Sequence, residues 1–430
     1  MKKILLISSI DPLVGPGAIG KKMYDILKEY SVQYNIDVDM LTTFEQPRCS
    51  DIKYIYKTNG KINRLVTFVR RLPKRVINKF YKHSKNGYCF FYRKETNPPV
   101  PVNLLLRKIK KNYDIVIVYF WQGLLSFKTI SDLYDKYPSK FIFICADYSP
   151  MSGGCHFTGD CDRFKIGCGA CKAFDSSDKY DFTRFNVEYR KKVYDKVKPI
   201  IWANSYMIEF FFKNSYLLKD QKLVRGTGFL DTSFYKPLEP EILRSKYGIS
   251  NDKKFVISFG CQFLTDERKG MFYMIEALNI LYERMTESEK RRTLLLAIGK
   301  DGDIIKEKLK LDFRWLGYIP IDSLPEFYSI SNVFVCSSVN DAGPSMLKQS
   351  LSCGTPLVAF EMGAALDVLV GQNTGYSIKL RDSEGLAEGI LKVLRMSKDE
   401  YNVLRQNCRD FVVRNSSKEA FVKQILSCCR

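Results

Sequence analysis

The stretch that decides the fold comprises residues 337–360, SSVNDAGPSMLKQSLSCGTPLVAF. The short apolar run just before it, residues 333–336 (VFVC), is typical of a buried parallel strand. A loop of small and polar residues follows, and Pro344 stands where the first turn of a helix accepts a proline. The CGTP motif at 353–356 ends that helix, and apolar residues 357–360 begin another strand. The pattern therefore predicts a strand, a loop, a helix and a second strand.

The loop before this predicted helix has the properties of an anion-binding site. Free backbone N–H groups and the positive end of the helix dipole point to one spot, between the end of the strand and the start of the helix. The diphosphate of a nucleotide sugar fits such a spot. An ordinary connection between a strand and a helix has the same pattern, so these physical arguments alone leave both interpretations open.

The stretch resembles the signature of the family 4 glycosyltransferases, in which two carboxylates separated by seven residues precede a CGTP motif. These enzymes have the GT-B fold and retain the anomeric configuration. The resemblance implies that Asp341 contacts donor-sugar hydroxyls and that Gln349 contacts the nucleotide ribose. Both positions hold Glu in the family. Aspartate keeps the charge with a shorter reach, and glutamine binds a ribose diol without charge assistance. The resemblance implies donor contacts for the intervening residues Gly343, Pro344, Ser345, Met346 and Leu347.

A second candidate cluster lies at Arg268-Lys269-Gly270, just before a predicted helix at 272–284. Two cations at a helix N-terminus oppose the helix dipole unless an anion such as a diphosphate lies there. The resembling family has a phosphate-binding Lys-Gly here, which Lys269 matches, and Arg268 is the candidate substitute for a further arginine. We therefore predict that Lys269, Arg268 and Asp341 are catalytic, the two cations by stabilising the departing diphosphate. The remaining donor-binding residues that the resemblance implies are Gly17, Gly260, Trp315, Gly317 and Tyr318.

Length and pattern predict two α/β domains. A chain of 430 residues is long enough for two or more hydrophobic cores. We expect two doubly wound, Rossmann-like domains that face a cleft, which is the GT-B architecture of the resembling family. Residues 1–236 are predicted as the acceptor-binding domain, 237–410 as the nucleotide-sugar-binding domain, and 411–430 as a helix that packs back on the first domain. Near the N-terminus, the pattern predicts a Gly-rich loop at 11–20 and a helix at 21–30.

Residues 152–174 form the most unusual passage of the sequence, predicted as a Cys-rich insert in the first domain. Four cysteines fall within 17 residues, with glycines at the turns, and could hold a tetrahedral Zn²⁺. Two disulfides or simply buried thiols are the alternatives. The passage resembles an insert in a branch of family 4 that builds bacterial polysaccharides, where it follows a His-Asp pair on the acceptor side. Here that pair is Ala146-Asp147, so Asp147 is the acceptor-side candidate. The predicted metal ligands are Cys155, Cys161, Cys168 and Cys171.

The formal net charge of the chain is +21, which implies a polyanionic partner. No acidic residue lies between Asp51 and Glu95, and the cations of residues 61–94 alternate with Leu, Val, Phe and Tyr. A basic amphipathic segment with aromatic residues is typical of contact with an anionic membrane surface. A solvated helix packed on its own domain is the alternative. Because RNA-binding signatures are missing, we expect no nucleic-acid partner.

These patterns and the resemblance predict a retaining glycosyltransferase that moves a sugar from a UDP- or GDP-sugar to a saccharide acceptor. We expect a lipid-linked oligosaccharide acceptor and a role in surface polysaccharide biosynthesis, that is, of lipopolysaccharide, capsule or exopolysaccharide. No cofactor is expected in catalysis, and zinc only as a structural ion. The 13 cysteines and the lack of a cleavable signal predict a cytoplasmic protein, peripheral on the inner face of the membrane. The alternatives are a non-catalytic binding subunit of the same fold and a zinc-containing nucleic-acid-binding protein.

Overall fold

A computed structural model describes residues 1–9, 15–45, 49–57, 94–109, 111–226, 228–250, 252–341 and 343–428. Apart from Lys94, the basic segment 61–94 lies outside these described residues. The chain forms two compact units: unit 1 comprises Met1–Asn204, Ile208–Gly226 and Val422–Arg430, and unit 2 comprises Ser205–Met207 and Thr227–Phe421. The division at 236/237 and 410/411 stays a prediction.

The first unit is built around a sheet of seven parallel strands. They are β1 (Lys2–Ile7), β2 (Ile36–Phe44), β3 (Lys53–Tyr56), β4 (Ile115–Val118), β5 (Lys140–Cys145), β6 (Ile200–Ala203) and β7 (Lys222–Arg225). Their order is β3-β2-β1-β4-β5-β6-β7, so the direction of winding reverses between β1 and β4. Among the described residues of this half of the chain, the helices are α1 (Gly15–Glu29), α2 (Val102–Lys108), α3 (Phe127–Lys136), α4 (Phe182–Val197) and α5 (Tyr206–Asn214).

The second unit contains a sheet of six parallel strands. They are β8 (Phe255–Phe263), β9 (Thr293–Lys300), β10 (Phe313–Trp315), β11 (Val333–Cys336), β12 (Leu357–Phe360) and β13 (Gly375–Ile378), in the order β10-β9-β8-β11-β12-β13. Winding reverses between β8 and β11. The helices of this half are α6 (Pro240–Lys246), α7 (Met271–Arg284), α8 (Glu287–Arg291), α9 (Asp303–Lys306), α10 (Leu324–Ser329), α11 (Ser345–Ser352), α12 (Ala365–Leu369), α13 (Ser383–Leu394), α14 (Lys398–Ser416) and α15 (Lys418–Ser427).

The predicted fold class is confirmed: each sheet is parallel and lies among helices, as in Rossmann-like domains. The apolar run at 357–360, which predicted a strand, is β12, and it is buried on both faces, as are β4 and β6. Among the helices of the described ranges, none is both long enough and apolar enough to cross a bilayer.

Two local predictions were wrong. Helix α1 begins at Gly15, six residues before its predicted start, so Gly17 lies in its first turn instead of in a loop. A proline at position 16 is compatible with this start, because the first turn of a helix needs no N–H from that residue. The sequence pattern predicts a strand at 255–259 followed by a loop, but strand β8 extends to Phe263 and includes Gly260. A Cβ atom at Gly260 would lie 2.4 Å from Ile298 Cγ1, so glycine permits the close approach of β9.

A buried ion pair on α4 holds the start of the Cys-rich passage. Arg190 is 2% exposed, and its Nε lies 2.9 Å from Glu95 Oε1. The other carboxylate oxygen of Glu95 accepts a hydrogen bond from the Phe127 N–H at 2.8 Å. Arg190 Nη1 donates to the carbonyl oxygens of Ser149 and Ser152. Because Arg190 bonds these two carbonyls and Glu95 at once, it fixes the chain after β5 against α4.

We expect Arg190→Met to lower the free energy of unfolding by about 3–5 kcal/mol, because it leaves the Glu95 carboxylate buried without its counter-charge. Urea unfolding of the full chain measures this loss. The matched control is Lys191→Met on the same helix, whose partially exposed ion pairs with Asp195 and Asp220 are each worth about 0–1 kcal/mol. Equal losses in the two variants would contradict a special role for the buried pair.

Candidate functional site

Two loops at the carboxyl edge of the unit 2 sheet are joined by hydrogen bonds. One follows β8 and forms a short 3-10 turn, Glu267–Lys269, and the other follows β11. The carbonyl oxygen of Arg268 accepts hydrogen bonds from the N–H groups of Val339 at 2.8 Å and Asn340 at 3.2 Å. The hydroxyl of Ser337 donates to the carbonyl oxygen of Lys269 at 2.9 Å. These bonds bring the two predicted clusters together at the reversal point of the sheet, where doubly wound folds bind ligands.

Lys269 and Asp341 form an ion pair at the centre of this arrangement. Lys269 Nζ lies 2.5 Å from Asp341 Oδ2, and the two side chains are 22% and 15% exposed. Burial opposes the charge of Lys269, but the carboxylate of Asp341 outweighs it and raises the pKa of the lysine. Lys269 is therefore a cation at neutral pH. The other carboxylate oxygen of Asp341 accepts a hydrogen bond from the Gly343 N–H at 2.9 Å.

The helix predicted after this loop is α11, with Pro344 at its N-cap and no side chain that caps it. Ser345 and Gly343 are exposed, whereas Leu347 is fully buried in the core of unit 2 with Phe334 and Leu357. The side chain of Leu347 is therefore not available to a donor, and the predicted donor contact would involve its backbone alone. Met346 is half-buried and packs against the same core.

Gln349 is held by two tyrosines within unit 2. Its Oε1 accepts a hydrogen bond from the Tyr328 hydroxyl at 2.9 Å, and its Nε2 donates to the Tyr235 hydroxyl at 3.1 Å. Burial raises the pKa of Tyr235 to about 12 and that of Tyr328 well above its ordinary value, so both hydroxyls keep their protons. The amide of Gln349 thus accepts a hydrogen bond from one tyrosine and donates a hydrogen bond to the other. Its predicted role at the nucleotide ribose stays a prediction.

Of the other predicted donor residues, Gly17 lies in unit 1, and the rest lie at several places in unit 2. The exposed fraction of Trp315 is 39%, its Nε1 donates to the Gly299 carbonyl oxygen at 2.8 Å, and Gly317 accepts from the Gly299 N–H at 2.9 Å. Tyr318 is exposed. Arg268 forms a hydrogen-bonded ion pair with Asp266, whose Oδ2 lies 2.6 Å from Arg268 Nη2. Lys269 thus carries the direct contact with Asp341, and the phosphate role of Arg268 stays a prediction.

The structure gives Asp147, the predicted acceptor-side residue, a histidine partner that the sequence pattern did not reveal. The family's histidine position is Ala146, but His156 Nδ1 contacts the carboxylate of Asp147 directly. Asp147 lies just after β5, is 4% exposed, and accepts hydrogen bonds from the N–H and hydroxyl of Ser149 at 2.8 and 2.6 Å. The Cys-rich passage therefore supplies Asp147 with a histidine contact, although the position before Asp147 in the sequence holds alanine.

The four cysteines of this passage are free thiols in one neighbourhood. Burial raises the pKa of Cys155, and the charges of Cys168, Cys171 and Cys161 raise it further. Burial also raises the pKa of Cys168 and of Cys171 to about 11 each. Across the described ranges, no three His, Cys, Asp or Glu side chains are arranged to hold a metal ion. The zinc site stays a prediction.

Sequence reasoning missed several residues that shape these sites. Tyr328 and Tyr235 lie 21 and 114 residues from Gln349, and no local pattern links them. Arg190 had a usable signal, because Thr183, Asn186 and Arg190 are spaced three and four residues apart. That spacing places them on one face of α4, where all three are buried.

Comparison with known proteins agrees with this geometry. Residues 240–411 match the family described as Glycosyl transferases group 1. A 212-residue stretch is 21% identical to N-acetyl-alpha-D-glucosaminyl L-malate synthase of Bacillus anthracis and covers 48% of this chain and 54% of that protein. The chain spans about half the length of the curated relatives it matches.

Solved structures resemble the whole chain. Sucrose-phosphate synthase from Thermosynechococcus elongatus superposes with a TM-score of 0.66 at 17% identity, over 100% of this chain and 98% of that one. Anabaena Alr3699/HepE in complex with UDP-glucose does so with a TM-score of 0.60 at 14% identity, over 100% and 99%. Such identities show the fold alone. The fold is GT-B, and the family match to Glycosyl transferases group 1 covers residues 240–411.

We expect Gly270→Ala to lower the free energy of unfolding of unit 2 by more than the amount that alanine loses from a left-handed backbone conformation alone. Gly270 has a φ of +65°, and a Cβ atom there would lie 2.0 Å from the Ser337 carbonyl oxygen. The control, Gly371→Ala, has a φ of +69° with nothing within 4 Å of the added atom, so it should lose only about 1–2 kcal/mol. Urea unfolding of both variants measures the difference. Equal losses would mean that the contact between the two loops does not depend on this glycine.

Proposed function

We propose that this protein is a retaining glycosyltransferase that moves a sugar from a UDP- or GDP-sugar to a saccharide acceptor. The observation that carries the proposal is the Lys269–Asp341 pair at the carboxyl edge of the unit 2 sheet. The match of residues 240–411 to the glycosyltransferase group 1 family supports it. A GT-B protein of the same fold, Anabaena Alr3699/HepE, is described in complex with UDP-glucose, which supports a nucleotide-sugar donor.

In this proposal the charge of Lys269 acts on the leaving diphosphate. The bond between the sugar C1 and the diphosphate oxygen breaks, and the acceptor oxygen forms a bond to C1 on the same face of the sugar. The acceptor hydroxyl gives its proton to the departing phosphate oxygen, so no side-chain nucleophile and no metal ion is needed. A preorganised cation that meets the charge as it develops lowers the barrier. The N–H groups at the start of α11 act in the same direction.

Asp341 has two roles in the proposed complex. Its carboxylate keeps Lys269 charged, and it offers acceptor oxygens to the hydroxyls of the donor sugar. Because aspartate is one methylene shorter than the glutamate of the resembling family, the donor sugar has to lie closer to the loop after β11. The Gly343 N–H, bonded to the same carboxylate, holds that loop in place.

We also propose that the acceptor is a lipid-linked oligosaccharide, that the product enters a surface polysaccharide, and that the protein binds the inner face of the membrane. The support is the acid-free, basic and aromatic segment 61–94. A polyprenyl-diphosphate-linked glycan lies at an anionic bilayer, where such a segment binds by charge and by insertion of its aromatic residues.

We expect Lys269→Ala to lower the rate of nucleotide release from the preferred UDP- or GDP-sugar by a factor of on the order of 10² or more, because the leaving group loses a preorganised charge. The assay needs no acceptor, since slow hydrolysis by water reports on the donor site. The matched control is Lys253→Ala, which removes another ion-paired lysine of unit 2, the partner of Asp312.

Unchanged kinetics in Lys269→Ala would contradict the proposed role of this lysine. A wild-type protein that binds UDP or GDP but hydrolyses no nucleotide sugar would instead favour the alternative of a non-catalytic binding subunit. Asp341 and Gln349, which replace both glutamates of the family pattern, motivate that alternative.

For the membrane, we expect that replacing Arg70, Arg71, Lys74 and Arg75 with Ser releases the protein from phosphatidylglycerol vesicles, because each basic residue contributes about 1 kcal/mol near such a surface. Vesicle sedimentation at physiological salt measures binding. A control with the same loss of charge replaces the exposed residues Lys306, Lys308, Lys392 and Lys398 with Ser. If the wild-type protein does not sediment with the vesicles, the lipid-linked acceptor loses its main support.

A further inference from the structure

The side-chain amide of Gln349 on α11 lies between two buried tyrosines from different segments of unit 2. Tyr328, on α10, is fully buried, and Tyr235, in the segment before α6, is 3% exposed. The Tyr328 hydroxyl donates to Gln349 Oε1 at 2.9 Å, and Gln349 Nε2 donates to the Tyr235 hydroxyl at 3.1 Å. Within the described part of the chain, these two bonds are the hydrogen bonds of the amide.

Tyr328 determines which way the amide is turned. Because the ring of Tyr328 is fully buried, its hydroxyl proton needs an acceptor within the protein, and Gln349 Oε1 is in contact with it. An amide turned over by 180° would present an N–H group to that proton instead. The tyrosine would then be a buried donor without an acceptor, which costs free energy. The amide oxygen therefore faces Tyr328, and the amide nitrogen faces Tyr235.

The amide keeps hydrogen-bonding capacity beyond these two bonds. A primary amide has two N–H groups and an oxygen that accepts twice, so one N–H and one lone pair remain. Gln349 is only partly buried, unlike both tyrosines. It lies on the helix that begins at the loop of the Lys269–Asp341 pair. An amide held in this way matches two neighbouring hydroxyls, one of which donates a hydrogen bond while the other accepts one.

An arginine on α14 holds the segment of Tyr235 against the end of α11. Arg409 Nη1 donates to the carbonyl oxygens of Tyr235 at 2.7 Å and Ser352 at 2.9 Å, and its Nη2 donates to that of Thr232 at 2.7 Å. The Ser352 hydroxyl donates to the same Tyr235 carbonyl oxygen at 2.5 Å. Because Ser352 ends the helix that carries Gln349, these bonds fix the backbone of Tyr235 relative to that helix.

We propose that Tyr328 and Tyr235 are positioning residues, which hold the Gln349 amide so that its remaining N–H and lone pair bind the two ribose hydroxyls of the donor nucleotide. The contact with the ribose rests on the proposed function, whereas the orientation of the amide by the tyrosines does not. A side chain that is already held loses less conformational freedom when the nucleotide binds. This preorganisation compensates in part for the charge assistance that a glutamine lacks.

The test is a double-mutant cycle on nucleotide affinity. Isothermal titration calorimetry of the full-length protein with UDP and GDP identifies the nucleotide that binds more tightly, and that nucleotide is used throughout. We expect Tyr328→Phe, which removes only a hydroxyl, to weaken binding by a factor of about 2–10, the effect of one hydrogen bond. In a Gln349→Met background, the same change should leave the affinity unchanged, because no amide is left to orient. A purely structural role of Tyr328 would weaken binding equally in both backgrounds.

Tyr401→Phe is the matched control, because its hydroxyl donates to the carbonyl oxygen of Asn332 at 2.9 Å, and it should not change the affinity. Tyr235→Phe should weaken binding as Tyr328→Phe does and provides an independent variant should Tyr328→Phe not fold, which urea unfolding checks. Equal affinities of the wild-type protein and both tyrosine variants would overturn the proposal, as would equal losses in the two backgrounds. A wild-type protein that binds neither UDP nor GDP would contradict the proposed transferase function and this proposal together, so the two failures are distinct.

Discussion

The ion pair of Lys269 and Asp341 is the constraint on which the unit 2 site depends. A largely buried lysine stays charged only beside a counter-charge, and Asp341 supplies it from 72 residues further along the chain. The backbone bonds that Arg268 accepts hold the two loops in register. Gly270 permits their approach, because any side chain there would meet the carbonyl of Ser337. The ion pair, the hydrogen bonds between the two loops and the glycine therefore depend on one another.

In unit 1, too, charged and polar groups hold a chain segment at the edge of the sheet, and there these groups are buried. Its reversal point also lies between the first strand and a later neighbour, and polar residues follow several of its strands. Arg190 and Glu95, both buried, hold the chain after β5, so that Ser149 and Asp147 reach their hydrogen-bonding partners. The Cys-rich passage then brings His156 back to the same edge. Its glycines let it pack tightly on α4: a Cβ at position 153 would lie 2.5 Å from the carbonyl oxygen of Thr183.

The departures from the pattern of the resembling family have a physical basis in the packing of unit 2. Gln349 accepts from one tyrosine hydroxyl and donates to another. A carboxylate accepts but does not donate, so a glutamate here would require Tyr235 to turn its own proton toward it. Asp341 keeps the negative charge that Lys269 needs while shortening the reach by one methylene. Asp341 thus keeps the negative charge of the signature. Gln349 lacks that charge but has a hydrogen-bonding geometry that two tyrosines fix.

The amino-acid sequence by itself determined the α/β class and grouped Lys269 and Asp341 in one predicted site, whereas their ion pair is known only from the structure. Buried parallel strands are continuous apolar runs, and residues that directly follow neighbouring strands share one edge of the sheet. Only the tertiary structure decided that His156 contacts Asp147 and that Glu95 pairs with Arg190, 95 residues away. The half-buried edge strand β3 and the early start of α1 were also missed. The reason is that a periodic sequence pattern indicates which face of a helix or strand is buried. It does not indicate the hydrogen-bonding partner of a buried polar group, because that partner comes from a segment distant in the chain.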